Sequence, residues 1–561
     1  MDPSQTFLDP NSITKYIGEI NLGKRIKPKY RCEYGRKIPI YEITLEQTTV
    51  KLHPQIPPTK MWLYNANVRS LIIEARRNDP IKVKWINRLP LIHLLQDYID
   101  HSLDGAQKFI TPDVRNSVHL HGGEQESSSD GGPLDWFTPG QFVEYYYPNE
   151  QQATMLFWHD HAIAITRLNV YAGLSGGIYL IRDEQIEESL HLPAGEFEVP
   201  LVITDKTFAE DGSLIFPHHE PGVPFPDDHW ASHFLGLMIL VNNSVWPYMN
   251  VKRAKYRFRI VNGSDTRSYS LKLYHANDLT KPGPLFVQIG TDGGYLPHPI
   301  VLDKYELLLT PAERADVVVD FSNFKSGTEF IMTNSARAPF PNGSVPNDNN
   351  GRVMKFIITG FPETSQHAHI RTPDLFKRLN ECKVSKIRQL TLDTIGMDMQ
   401  PEALFLNNSM FSLPVTERPF VGATEIWEFI NFTNGAHPIH LHLIQFQLLN
   451  RQAYDVQGYN DALNAANPDM MLGEGIAHPV DVTSYLIGEP VIPTSESNEF
   501  GWKDVIRADG SVITRIIARF APQDGGTFPF DATTGPYTWH CHILSHEDND
   551  MMRPYRLFNK I

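Results

Sequence analysis

The stretch KYRFRIVNGS (residues 255–264) alternates charged and apolar side chains and ends at an asparagine that a glycine follows. Alternation with a period of two, closed by turn residues, is typical of a half-buried β-strand. Two further stretches show a related pattern of apolar residues and also end at an asparagine: IKVKWINRL (81–89) at Asn87 and ATEIWEFINFT (423–433) at Asn431, as the first does at Asn262. The three stretches therefore predict three equivalent strands.

The three asparagines follow one another at intervals of about 170 residues, and a repeat of nearly constant spacing predicts repeated structural units. A length of 561 residues is typical of three or four domains at roughly 150 residues each. Polar stretches that follow apolar strands, YLIRDEQIEES (179–189) and ITGFPETSQHAH (358–369), mark the predicted boundaries. We therefore predict three domains, over residues 1–185, 186–362 and 363–561.

Strand patterns dominate the rest of the chain, as in SVITRIIARFAP (511–522), and long helical patterns are scarce. The stretch TPDLFKRLNECKV (372–384) favours a short helix. The 42 prolines suit a β-rich, loop-rich chain better than a helical one. The predicted fold class is therefore all-β.

Composition and charge restrict the partners. The net charge of −15 argues against a nucleic-acid-binding surface, which needs a basic patch. No apolar run approaches the roughly 20 residues that cross a bilayer, and the N-terminus MDPSQTFLDPNSITKYIGEI lacks the pattern of a secretory signal. We therefore expect an intracellular protein without membrane partners. Its three cysteines, Cys32, Cys382 and Cys541, cannot form a disulfide framework.

Histidines concentrate in four short stretches: VHLHGG (118–123), FWHDHA (157–162), HPIHLHLIQF (437–446) and WHCHILSHEDNDMMRP (539–554). Side chains two positions apart in a strand lie on the same face, so each His-x-His pair can present two imidazoles to one point. Imidazole is the commonest metal ligand near neutral pH. Hydrogen-bonded surface or core histidines would explain a single pair, but four clusters flanked by apolar strand residues indicate metal binding.

The last cluster holds one of the three cysteines. In a strand, the two histidines that flank Cys541 face one side and the cysteine faces the other, so one segment can reach two metal sites. His546 and Met551 follow it, and His437 can come from the preceding cluster. Two histidines, one cysteine and a weak axial methionine are the ligands of a blue-copper electron-transfer site.

Other classes of site fit less well. Structural zinc sites use cysteine and histidine at zinc-finger spacings, and this chain has no Cys-x-x-Cys. A catalytic zinc needs three protein ligands, whereas eight histidines stand here in pairs. No Gly-x-Ser-x-Gly elbow supports a hydrolase. The stretch GTDGGYLP (290–297) lacks the spacing of a dinucleotide-binding loop.

The four clusters, in this order, resemble the copper-binding motifs of the multicopper oxidases. The chain is most similar to the branch of bacterial spore-coat laccases and bilirubin oxidases. Matching stretches occur in all three repeats: HLHGGEQESSSDG, WHDHAIAITRLNVYAGLSG, LVITDKTFAEDGSL, VWPYMNVKRAKYRFRIVNGSDTR, QIGTDGGYLP, GAHPIHLHLIQFQLLNR and WHCHILSHEDNDMMRP. The resemblance implies three cupredoxin-like domains, each a Greek-key β-sandwich or barrel.

The resemblance also implies four copper ions: one type 1, one type 2 and two type 3. His437, Cys541, His546 and the axial Met551 would hold the type 1 copper, and His119 and His440 the type 2 copper. Six histidines would hold the type 3 pair: His121, His159, His161, His442, His540 and His542. The trinuclear cluster would lie between the first and third domains. The second domain would carry no copper and serve as a spacer and a wall of the substrate pocket.

The implied reaction is one-electron oxidation of phenols, aromatic amines or bilirubin at the type 1 copper, coupled to four-electron reduction of O2 to water. Donors would deliver electrons near His437 or His546, and Cys541 would pass them to the trinuclear cluster. Because O2 reduction consumes protons, acids are expected nearby. Glu547 and Asp130 match acidic positions of the related enzymes and are the predicted proton donors.

Several points stay open. Related enzymes often carry a basic side chain where Asn434 stands, and the loop at 215–236 is predicted to edge the substrate pocket.

A cuprous-ion oxidase is the enzymatic alternative. Such enzymes tend to have methionine-rich inserts, whereas four methionines here are scattered in pairs: Met397, Met399, Met470 and Met471. A structural coat or assembly protein is the non-enzyme alternative, and it would show gaps among the ligands. We expect a monomer in the cytoplasm or the spore coat.

Overall fold

The computed structural model describes residues 6–33, 35–66, 70–216, 232–304, 306–362, 370–395, 403–495 and 497–560. Strands predominate, which confirms the all-β prediction. The α-helices of the described residues are short: α1 (Thr166–Ala172), α2 (Glu184–Leu190), α3 (Val456–Ala466) and α4 (Leu544–Glu547). Single 3-10 turns lie at Pro10–Ser12, Gln96–Tyr98, Ser127–Ser129, Gly195–Phe197, Glu381–Lys383 and Val482–Tyr485. Within the described ranges, no helix has the length and apolar character that crossing a bilayer requires.

The three predicted domains are called here the first, middle and third ranges. The strands of the first range (1–185) form two sheets. Their bounds are β1 (Lys24–Arg25), β2 (Lys29–Glu33), β3 (Arg36–Val50), β4 (Thr59–Tyr64), β5 (Leu71–Arg76), β6 (Ile81–Asn87), β7 (Val118–His121), β8 (Phe142–Tyr147), β9 (Met155–Asp160) and β10 (Ser175–Arg182). One sheet has the order β1-β5-β10-β9-β7. The other has the order β2-β3-β6-β8, with β4 paired to β3.

The middle range also forms two sheets. Its strands are β11 (Glu198–Lys206), β12 (Met238–Val241), β13 (Ser244–Val245), β14 (Tyr248–Arg253), β15 (Lys255–Asn262), β16 (Tyr269–His275), β17 (Asp278–Pro282), β18 (Phe286–Thr291), β19 (Gly294–Leu302), β20 (Leu307–Leu309), β21 (Arg314–Asp320), β22 (Glu329–Asn334) and β23 (Arg352–Pro362). The orders are β13-β12-β11-β15-β21-β18-β19 and β14-β23-β22-β16-β17, with β20 paired to β16.

The third range (363–561) forms two sheets, and one of them carries four ligand candidates: His437, His440, His540 and Cys541. Its strands are β24 (Val384–Ile395), β25 (Ala403–Leu406), β26 (Thr424–Asn431), β27 (His437–Leu441), β28 (Phe446–Tyr454), β29 (Leu486–Val491), β30 (Val505–Ala508), β31 (Val512–Arg519), β32 (Tyr537–Cys541) and β33 (Met552–Tyr555). The orders are β25-β24-β26-β31-β28-β29 and β30-β27-β32-β33. Each described sheet draws its strands from one predicted domain. The boundaries themselves stay a prediction, and residues 363–369 of the second boundary lie outside the described residues.

The three strands predicted to be equivalent are β6, β15 and β26, and each has the same place in its sheet. Each pairs in parallel with the earlier strand β3, β11 or β24 and antiparallel with the later strand β8, β21 or β31. The terminal asparagine side chains accept a hydrogen bond from the N–H two residues on, at 2.9–3.0 Å. Their Nδ2 atoms donate to backbone carbonyls of neighbouring segments. The repeated asparagine therefore closes the end of a strand.

The short helix predicted over residues 372–384 is wrong, because only the turn Glu381–Lys383 is helical there. Gln447 in β28 binds the backbone of this segment instead. Its Oε1 accepts from the Leu379 N–H at 2.9 Å and its Nε2 donates to the Lys377 carbonyl at 2.8 Å. The Gln447 side chain of β28 therefore binds the Lys377 carbonyl and the Leu379 N–H. A helix over this segment would need the same backbone groups for its own hydrogen bonds.

A carboxylate of the third range holds the first helix in place. Asp548, directly after α4, accepts hydrogen bonds from the N–H groups of Thr166 and Arg167 at 3.0 and 2.9 Å. It also accepts from Nη1 of Arg167 at 2.9 Å. Negative charge at the start of a helix is stabilising because the first N–H groups lack partners within the helix. The contact fixes α4, which carries two of the predicted site residues, against the first range.

Candidate metal centres

Two pairs of neighbouring strands bring the histidines together. β7 and β9 are antiparallel neighbours, with His119 opposite His159. β27 and β32 are also antiparallel neighbours, with His440 opposite His540. All ten predicted histidine ligands, Cys541 and Met551 are buried, with at most 4% of any of them exposed. Strand pairing therefore places His-x-His pairs from both ends of the chain in the protein interior.

Three imidazoles converge through their Nε2 atoms. Nε2 of His161 lies 3.2 Å from Nε2 of His442 and 3.3 Å from Nε2 of His540. Their Nδ1 atoms face carboxylates: His442 faces Asp130 Oδ2 at 2.7 Å, and His161 and His540 face the two oxygens of Glu547 at 3.2 and 3.0 Å. A neutral imidazole that donates from Nδ1 has a lone pair on Nε2. Three converging lone pairs repel one another and fit a cation.

A second group combines His121, His159 and His542, whose ligand atoms lie within 4.8 Å of one another. Nε2 of His542 is 3.3 Å from Nε2 of His159. Nδ1 of His159 faces its neighbour's carbonyl at 2.8 Å, so Nε2 is its free atom. His121 has the opposite orientation, because its Nε2 faces Asp504 Oδ1 at 3.1 Å and leaves Nδ1 free.

A third group forms around His119 and His440. Their Nδ1 atoms each lie 2.7 Å from a backbone carbonyl, that of Asp130 for His119 and that of Asp504 for His440. Their Nε2 atoms are buried and have no hydrogen-bond partner among the described residues. A buried polar atom without a partner is costly, so this pair also fits a metal ion. His442 lies close enough to share this group.

The fourth group contains the buried cysteine. Sγ of Cys541 lies 3.5 Å from Nδ1 of His437 and 3.7 Å from Nδ1 of His546, and these two nitrogens are 3.3 Å apart. The backbone of Met551 closes the site: its carbonyl accepts from the Cys541 N–H at 2.9 Å, and its N–H donates to the His546 carbonyl at 3.1 Å. The cysteine and the methionine belong to the apolar core of the third range.

Burial controls the charge of these groups. Removal from water lowers the pKa of His161 and His437 to about 3 and that of His159 and His540 to about 4, so the imidazoles are neutral. Neutral imidazole is the form that binds metals. Burial also raises the pKa of Glu547 to about 8 and holds the pKa of Asp130 well above its usual range. Glu547 can therefore carry a proton near neutral pH.

Two residues of this region were missed by the sequence analysis. Asp504 contacts His121 through its side chain and His440 through its carbonyl. Arg314 in β21 holds that carboxylate with both guanidinium Nη atoms, at 2.5 Å each. The middle range, predicted as a spacer and pocket wall, thus also supplies a charge behind the histidines. The only local signal is a charged pair, Lys503 and Asp504, set between apolar residues in WKDVI (502–506).

A further carboxylate of the middle range supports α4. Asp265 accepts hydrogen bonds from the Ser545 side chain at 3.0 and 3.1 Å and from its N–H at 3.3 Å. Ser545 immediately precedes His546 and Glu547. The helix α4, which carries His546 and Glu547, is therefore held by contacts with both the first and the middle range.

A buried thiol with two imidazoles, joined through one backbone segment to two further imidazole groups in an all-β fold, is a donor set that suits copper. The comparisons agree, and the chain belongs to the multicopper oxidase family. Models described as "Multicopper oxidase" match residues 111–185 and 383–558.

The relatives cover nearly the full chain. A laccase of Bacillus subtilis (strain 168) is 39% identical over 557 residues, covering 97% of this chain and 98% of the relative. Multicopper oxidase LPR1 of Arabidopsis thaliana is 34% identical, covering 92% and 88%. The crystal structure of the McoA multicopper oxidase from the hyperthermophile Aquifex aeolicus matches with a TM-score of 0.71 at 25% identity, covering 97% of this chain and 100% of that chain. The protein is thus a laccase-like, copper-binding oxidoreductase that uses a reducing substrate, with oxygen as acceptor.

Proposed function

We propose that the four groups hold four copper ions and that this oxidase transfers electrons from small aromatic donors to O2. The type 1 ligands are His437, Cys541, His546 and the axial Met551. The type 2 ligands are His119 and His440. The type 3 ligands are His121, His159, His161, His442, His540 and His542. The convergence of unpartnered imidazole nitrogens supports this assignment.

The observation that carries the proposal is the position of Cys541 between His540 and His542. Its Sγ lies in the type 1 group, while the flanking imidazoles belong to the two type 3 groups. Electrons therefore have a short covalent route from one site to the other. Copper supplies one-electron redox chemistry and O2 binding, and the protein supplies ligand geometry and separates the two half-reactions.

Protons for water formation are assigned to Glu547 and Asp130. Glu547 faces Nδ1 of two type 3 ligands, and Asp130 faces Nδ1 of His442, so both lie directly behind the cluster. Burial raises the pKa of Glu547 to about 8 and holds that of Asp130 well above its usual range, and a general acid works best when its pKa is near the operating pH. Each can hold a proton at the cluster.

The donor site lies beside His437 and His546, where a cavity of about 160 Å³ reaches both imidazoles. We propose phenols and aromatic amines as donors, with bilirubin as a further candidate. Cuprous-ion oxidation is favoured less, because the described lining of this cavity contains neither methionine nor carboxylate. Met470 and Met471 line a different surface cavity, and Met397 and Met399 lie outside the described residues.

A structural coat role would leave gaps among the ligands, whereas the ten histidines and Cys541 all belong to the clustered groups, which favours the enzyme. A monomer in the cytoplasm or spore coat stays a prediction.

The test is copper reconstitution followed by oxygen uptake with a methoxyphenol, bilirubin and cuprous ion. We expect the thiolate-to-copper absorption band, about four copper ions per chain, and oxygen uptake with the phenol. A colourless protein that binds zinc, or oxygen uptake with cuprous ion alone, would overturn the proposal.

A further inference from the structure

The outer nitrogens of both type 1 histidines are covered by other side chains. Nε2 of His437 lies 2.9 Å from Oγ1 of Thr433. Nε2 of His546 lies 3.3 Å from Nε2 of His233, and the two rings are 4.9 Å apart at an angle of 74°. A donor molecule therefore cannot hydrogen-bond directly to either ligand imidazole.

The hydrogen bonds of His233 fix its orientation. In the metal-binding form of His546, Nδ1 is the ligand atom, so Nε2 carries the hydrogen and donates to Nε2 of His233. Nδ1 of His233 then carries its own hydrogen and donates to Oγ of Ser232, at 3.1 Å. His233 is thus held from both sides as an extension of His546.

The ring of His233 borders the cavity beside the type 1 histidines. The cavity measures about 160 Å³, against roughly 300–1,000 Å³ for sites of drug-sized ligands, so it suits a single aromatic ring. Its polar lining is neutral and includes the side chains of Thr266, Ser268 and Asn434. Among the described lining residues there is no lysine, arginine, aspartate or glutamate. A dicarboxylate such as bilirubin meets no lysine or arginine among these residues, which makes it the less favoured donor.

We propose that His233 is the donor-contacting residue that restricts this oxidase to compact, neutral phenols. The inference rests on the proposed function and names its substrate class. With copper held by His437, Cys541 and His546, each phenol would lose one electron by way of His233 and His546, and its hydroxyl proton would pass to water. Four such steps supply the four electrons that convert one O2 to two waters, and solvent returns the four protons.

Two substitutions distinguish the effect of the size of the His233 ring from the effect of its hydrogen bond with His546. His233→Ala removes both, whereas His233→Phe keeps a ring but removes the acceptor for the His546 N–H. His298→Ala, at a partly exposed histidine of β19, is the matched control. The first measurement is the binding of 4-cyanophenol, a phenol that is hard to oxidise, to the copper-free protein. The second and third use the copper-loaded protein: the type 1 reduction potential, and kcat/KM for 2,6-dimethoxyphenol and for bilirubin.

The wild type should bind 4-cyanophenol without copper and favour dimethoxyphenol over bilirubin. His233→Ala should lower that preference about tenfold or more, within the usual range for a change of pocket shape. His233→Phe should keep the preference, and both variants should shift the type 1 potential equally. The control should match the wild type in every measurement.

Unchanged preference, phenol binding and potential in His233→Ala would overturn the inference while leaving the oxidase proposal intact, as would a wild type that favours bilirubin. If His233→Ala does not fold, an unshifted potential in His233→Phe overturns it in the same way. A wild type that takes up no oxygen with any donor defeats the proposed function itself.

Discussion

Oδ1 of Asp504 lies 3.1 Å from Nε2 of His121, although 383 positions separate the two residues. The contact joins the first and third ranges at the proposed trinuclear cluster. It also selects Nδ1 of His121 as the ligand atom, because a neutral imidazole has one donor and one acceptor nitrogen.

Removal of this carboxylate should weaken copper binding. Asp504→Ala takes away the acceptor that orients His121 and the nearest carboxylate partner of Arg314, and loss of an orienting partner of a ligand typically costs about 10–100-fold in metal affinity. Copper content after dialysis against a graded chelator measures the change. Asp509→Ala, which removes a partly exposed partner of Arg507, is the control and should retain copper. Equal retention by both variants would contradict the role of Asp504.

Glu547→Gln should separate the two half-reactions. The amide cannot deliver a proton to the cluster, and loss of a general acid typically slows a reaction by about 10²–10⁴-fold. Steady-state oxygen uptake should fall accordingly, while anaerobic reduction of the type 1 copper by a phenol keeps its rate. Glu126→Gln, in the loop before Asp130, should behave as wild type. Normal turnover of the Glu547 variant would show that the proton assignment is wrong.

Cys541→Ser should remove the blue colour and stop turnover. The serine oxygen cannot provide the thiolate-to-copper transition, and the type 1 ion loses its strongest ligand. Copper analysis should show loss of the type 1 ion, while the type 2 and type 3 ions are retained. Cys382→Ser, at an exposed cysteine, is the control and should stay blue. A blue, active Cys541 variant would refute the bridge.

Asn262→Ala should destabilise the protein without touching a metal group. The buried side chain accepts from the Ser264 N–H and donates to the carbonyls of Arg267 and Leu309, at 2.8–3.0 Å. Unsatisfied buried partners cost about 1–3 kcal/mol, which urea unfolding of the copper-free protein can measure. The exposed Asn250→Ala should change the free energy of unfolding by about 0.5 kcal/mol or less. Similar values for the two variants would rule out the strand-closing role.

Asp265→Asn should flatten the pH dependence of stability. Burial raises the pKa of Asp265 to about 7, whereas an unfolded aspartate titrates near about 3.9. The folded state therefore binds more protons between these values, so the stabilisation is complete below about pH 4 and is lost as pH rises through about 7. The full effect is of the order of 4 kcal/mol.

Urea unfolding of the copper-free wild type and variant, compared across this pH range, measures that difference. The neutral amide can still bind Ser545 and has no proton to lose. The free energy of unfolding of the variant should therefore fall less steeply with rising pH than that of the wild type. Equal slopes would mean that Asp265 does not titrate in the folded protein.

The sequence by itself determined the fold class and the candidate ligands. Alternation with a period of two identified β6, β15 and β26, because strand side chains face opposite sides in turn. The same geometry put both histidines of each His-x-His pair on one face and Cys541 on the other. These are local rules, and a local pattern is sufficient to apply them.

Only the tertiary structure decided which nitrogen of each histidine is free and which groups stand behind it. Asp504 reaches His121, Arg314 reaches Asp504, and His233 reaches His546, each between segments far apart in the chain. The segment 372–384 was mispredicted for the same reason, since Gln447 engages its backbone. Hydrogen bonds between distant segments leave no periodic signal in the sequence, and they exist only once the chain has packed.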